Sequence, residues 1–153
     1  MSSDHKPDQR LARLQQQLRF APTVTPDLVF EVAASVCTRL PVLAKASHVD
    51  RLIAAGAWTD VAFALIEIEL PAWKLRRLVH EDGEWFCSLS KELNLPLAID
   101  DTADAQHELL PLAILGAFVE ARRRSCVAAD NRSPSVPHIL PASATAVCCD
   151  NFV

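Results

Sequence analysis

His80 and Cys87 are the residue types of a nucleophile–base pair, in which an imidazole takes the proton of a thiol. Both fall in a stretch, 73–90, that reads as a β-hairpin, so the pair needs one shared face. The register that best separates apolar from polar side chains puts them on opposite faces. Cys87 is then expected to be a small core hydrophobe and His80 a solvated strand residue beside the turn. Asp100, Asp101, Asp104 and His107 have the ligand types for a metal ion, but one short stretch rarely completes a coordination shell. They are expected to be solvated, and Asp100 and Asp101 to lack the burial that would split them into acid and base. Cys148 and Cys149 form a vicinal pair open to oxidation or a soft metal, in a segment with no other sign of a role. Three glycines in all leave no phosphate or dinucleotide loop. There is no GxSxG, no HExxH and no CxxC. No catalytic residue, metal or cofactor is expected, and the chain is read as a non-enzyme.

The second hairpin face carries Lys74, Arg76, Leu78 and Phe86, the candidate interaction surface. Cations beside an aromatic on a sheet can hold single-stranded nucleic acid, and Arg122, Arg123 and Arg124 could extend such a patch. The balance of charge runs the other way. The chain carries a net −4, and 47–124 holds 8 Lys and Arg against 13 Asp and Glu. Protein contact, by self-association or with another partner, is therefore the first reading, and nucleic-acid binding the alternative.

Asp82-Gly83 between two runs rich in aromatic and branched residues is the hairpin signal. A two-residue loop mixes both faces. A three-residue loop, with Gly83 at a left-handed bulge, pairs Val79 with Trp85 and Leu75 with Leu89. It gathers Trp73, Leu75, Val79, Trp85 and Leu89 on one face, and that register is expected. Two strands alone are marginal in water, so helices or a third strand must cover them. The spacing predicts helices over 8–20, 26–40, 48–55, 60–70 and from Leu110-Pro111 to Arg124. Thr25-Pro26-Asp27 is a strong start for the second. Thr59 is expected to cap the fourth, whose alternating 66–70 is also readable as a strand. Leu95 to Ile99 reads as a short edge strand or a covered loop, and the acidic stretch after it as loop.

The fold class is α+β: a small antiparallel sheet of two strands, or three, covered by helices in an α-β-β-α core. The organisation is an N-terminal arm (1–24), a helical segment (25–46), a compact domain (47–124) and a disordered tail (125–153). No window reads as a membrane span, and the start lacks a signal peptide's apolar run. The five unpatterned cysteines then read as reduced thiols of a cytoplasmic protein.

Three stretches between 61 and 124 resemble the small ABA-sandwich domains of uncharacterised phage and prophage proteins. AFALIEIELP leads into AWKLRRLV, GEWFCSLS follows a tight turn, and PLAILGAFVEA closes the unit after an acidic loop. The chain is also similar to small hypothetical alphaproteobacterial proteins. The resemblance implies the α-β-β-α layering and no assigned activity.

Overall fold

A computed structural model describes residues 5–39 and 46–130. The expectations for 1–4, 40–45 and 131–153, including Cys148, Cys149 and most of the tail, lie outside the described residues. The elements run α1 (His5–Phe20), α2 (Pro26–Val36), α3 (Ala46–Ala54), α4 (Trp58–Glu69), β1 (Lys74–Glu81), β2 (Glu84–Ser90), β3 (Ala103–His107) and α5 (Leu110–Asp130). The strands form an open antiparallel sheet in the order β1-β2-β3. The class is α+β, as the sequence predicts. The alternating stretch from Ile66 is helix as far as Glu69, with Leu70 as its C-cap.

α5 is the centre of the molecule. It packs on β3 and β2, and α1, α2 and α4 pack around it. Its residues 112 to 119 are buried without a break, including Phe118, Leu115 and Ile114. A helix apolar all round is one enclosed on all sides. Gly116 lets it approach the sheet, because a Cβ there would lie 2.9 Å from the Ala105 Cβ. α1 is a packed element: Leu11, Leu14 and Leu18, its one apolar stripe, are buried in the common core. Gln15 bonds Glu120 at 2.7 Å, and Arg123 pairs with Asp8 at 3.0 Å.

The caps explain where helices begin. Thr25 Oγ1 accepts from the Leu28 N–H at 3.2 Å, and Pro26 occupies the first turn. Thr59 does not cap α4, which starts two residues earlier than expected, at Trp58 after Ala57, with no side-chain cap bond. Glu69, at the other end of α4, is buried and accepts the backbone N–H groups of Thr38 (2.9 Å) and Arg39 (2.6 Å). It thereby ties the end of α2 to α4.

The expected hairpin register is wrong near the turn. The loop has two residues, Asp82 (φ 55°) and Gly83 (φ 84°), and Glu81 pairs with Glu84. Two consecutive positive φ values are the type I′ arrangement, which aspartate tolerates. Val79 therefore pairs with Phe86 and Leu78 with Cys87. A register shift between Leu75 and Arg77 then restores Leu75 opposite Leu89. This bulge at Arg76 is why pattern segregation misled: one face is apolar only if the ladder is continuous. The five side chains expected together are split. Trp85 and Leu89 face α5, whereas Val79 lies on the opposite, uncovered face with Phe86. The third strand is β3, inside the stretch expected to be an acidic loop, and 95–99 is not a strand. α5 continues six residues beyond Arg124, so a tail beginning at 125 is also corrected.

Candidate functional site

The expected patch of Lys74, Arg76, Leu78 and Phe86 does not assemble. Leu78 stands opposite Cys87 and packs against the core. Phe86 is on the open face, with the Arg77 guanidinium 5.7 Å from its ring centre. Lys74 is exposed at the far end of β1. Arg76 is engaged within the protein: it pairs with Asp100 at 2.7 Å and donates to the carbonyls of Leu95 (2.6 Å) and Glu92 (3.2 Å). The arginines of α5 are engaged too, Arg123 with Asp8 and Glu120, and Arg124 with Glu120 and Asp101. They sit within α5, which runs six residues past Arg124, and not at its C-terminal end.

Arg76 instead builds a different surface. The bulge frees it from the ladder, and it clasps the loop 91–102 against the sheet end. Asp100 is the counter-charge, and its side chain is 2% exposed against 13% for Arg76. That burial corrects the expectation of a solvated Asp100. Ser90 Oγ donates to Asp100 at 2.6 Å and accepts the Glu92 N–H at 2.9 Å, closing the network. The clasped loop presents Leu93, Leu95, Leu97 and Ile99 to solvent, the last two 60% and 68% exposed. Single exposed aliphatics are ordinary, but four within seven residues form a patch. Nothing in the composition of 93–99 signalled exposure; its alternation suggested a strand.

The metal set is not brought together either. Asp100 faces Arg76, and Asp101 pairs with Arg124. Asp104 accepts from Thr102 at 3.0 Å. His107 lies three residues along β3 from Asp104 and so on its opposite face. It is buried and uses both ring nitrogens: Nδ1 accepts the Leu109 N–H at 2.8 Å, and Nε2 lies 3.0 Å from the Ala21 carbonyl. Its part is to start α5 and to fasten the end of α1. No cluster of potential metal ligands occurs among the described residues.

The corrected register brings His80 and Cys87 onto one face, where the His80 ring lies against Trp85, tilted by 46° with 4.8 Å between centroids. Their cross-strand positions remain diagonal, and the Cys87 thiol is fully buried. Burial first, and the nearby Asp104 charge second, push its pKa up to about 12. Cys37 is pushed up to about 12 as well, by burial and then by the Glu69 carboxylate. A thiol held protonated is a poor nucleophile. Carbamidomethylation at pH 8, read by peptide mass spectrometry, is expected to label the exposed Cys126 and to spare Cys37 and Cys87. Both folded-state values lie above the unfolded value of 9.0. The stabilisation is therefore complete below that pH and is lost as pH rises toward 12. A urea midpoint that stays constant above pH 9.0 would contradict the assignment.

A groove of about 990 Å³ runs between α1 and β3 over the middle of α5, where Leu112, Gly116 and Glu120 form its floor at four-residue spacing. No helix among the described residues is long and apolar enough to cross a membrane. Comparison with protein-family models, with characterised proteins and with solved structures finds no match to this chain.

Proposed function

We propose that the chain is a non-catalytic protein-interaction module whose contact surface is the clasped apolar loop 93–99. The observation that carries this reading is Leu93, Leu95, Leu97 and Ile99 standing exposed on a loop held by a buried ion pair. Such residues cost free energy in water and regain it when a partner covers them, about 25 cal/mol for each Å² of apolar surface removed. Holding the loop in place before contact lowers the ordering cost of binding. The module works in a cytoplasm, where its thiols stay reduced. The resemblance of 61–124 to phage domains fits an accessory protein of a mobile element.

The test uses the double variant Leu97→Asp/Ile99→Asp, which changes exposed side chains only. The wild type is expected to self-associate in sedimentation velocity runs or to retain a partner from extracts of its source cells. The variant is expected to lose whichever contact the wild type makes. A wild type that stays monomeric at high micromolar concentration, and retains nothing the variant does not, would overturn the reading.

A further inference from the structure

β1 and β3 are the two edges of the sheet. The β1 edge is blunted by the bulge at Arg76 and by the cations beside it, the usual defence against unwanted pairing. The β3 edge has no bulge and no cation, and carries only the negative charge of Asp104. The turn pair Glu81–Glu84 sets the alternation of hydrogen bonds across the sheet. Trp85, Cys87 and Leu89 then direct their backbone groups to His107, Ala105 and Ala103. It follows that Asp104 and Gln106 direct theirs outward, and no described backbone group occupies that edge. The groove places this edge as one wall, with Gln16 and Arg19 of α1 on the other.

The charges at the groove define what it would take. Glu84, Asp104 and Glu108 line it without an ion pair among the described residues, whereas Arg123 is neutralised by Asp8 and Glu120. Arg19 is the remaining cation, set beside the Phe20 ring at 6.0 Å. A strand added at β3 would place alternate side chains across from Asp104 and Gln106, on the face that also carries Glu84. Opposite charges at such positions stabilise the pairing.

We propose that the groove between α1 and the free edge of β3 docks an extended basic peptide segment, which joins the sheet as a fourth strand. This is strand addition, with backbone bonds supplying affinity and alternate side chains supplying selectivity. The site is separate from the loop 93–99, none of whose residues lines the groove.

The probe is a short fluorescein-labelled peptide of alternating lysine and threonine, followed by anisotropy with the full chain. It is expected to bind, and its glutamate–threonine counterpart to bind more than about tenfold more weakly at low salt. N-methylation of alternate peptide amides is expected to abolish binding in one phase and to leave it intact in the other, because only one set faces β3. Gln106→Pro, which removes an outward N–H only, is expected to weaken binding with the thermal transition retained. Leu97→Asp/Ile99→Asp should leave the peptide affinity unchanged, which separates this site from the apolar loop. Equal binding of the two N-methylated phases, equal binding of the acidic peptide, or no binding of the basic one would each overturn the proposal.

Discussion

Replacing Asp100 by alanine is expected to lower the unfolding free energy by about 3–5 kcal/mol, the cost of leaving one member of a buried ion pair unmatched. For a domain of this size that is a fall of roughly 10 °C in the thermal midpoint. The size of the effect follows from where Arg76 is left. Its guanidinium is enclosed beneath the loop and bonded to two carbonyls there, so it cannot keep those bonds and also return to water. Ser90 loses its acceptor in the same step. The pair as a unit is a different matter, because two apolar residues of similar volume can replace a buried pair at little cost. Arg76→Met/Asp100→Leu is accordingly expected to be more stable than Asp100→Ala alone. Urea denaturation of the three proteins measures this. A loss below about 1 kcal/mol for Asp100→Ala would mean that the pair behaves as a solvent-exposed one.

The second large effect is at the centre of α5. Phe118→Ala is expected to cost about 3–5 kcal/mol, combining lost transfer energy with the cavity left behind. Phe118 is completely buried where α5 meets the surrounding helices, so little can relax into the space. Val127→Ala, on the exposed end of the same helix, is expected to change stability by less than about 0.5 kcal/mol. Urea midpoints with unchanged slopes would confirm that the difference lies in folded-state packing. Comparable losses at the two positions would show that α5 is not enclosed as described.

The elements with local signals were legible in the sequence. Thr25-Pro26-Asp27 marks the start of α2, Leu110-Pro111 marks that of α5, and Asp82-Gly83 marks the turn. Register was not legible, because the bulge at Arg76 breaks the alternation that would reveal it. β3 was missed for a compositional reason. Ala103, Ala105 and His107 alternate with Asp104 and Gln106, but small and polar residues are weak strand formers. That period of two was the available signal. Among the candidate site residues, Arg76 was singled out as a surface cation, and the structure gives it an internal partner 24 positions away. Opposite charges far apart in one chain carry no mark of which pairs meet. The groove at β3 was invisible for the same reason, since its walls come from α1 and from the far end of the chain.

The contact of α1 with α5 has a temporal consequence. Gln15 and Glu120 are 105 residues apart. A chain synthesised at ordinary rates carries the apolar stripe of Leu11, Leu14 and Leu18 for roughly 5–20 s before its seat in α5 exists. Of the two helices the one made earlier must therefore wait for its seat, and its apolar stripe stays uncovered on the nascent chain until α5 has been synthesised.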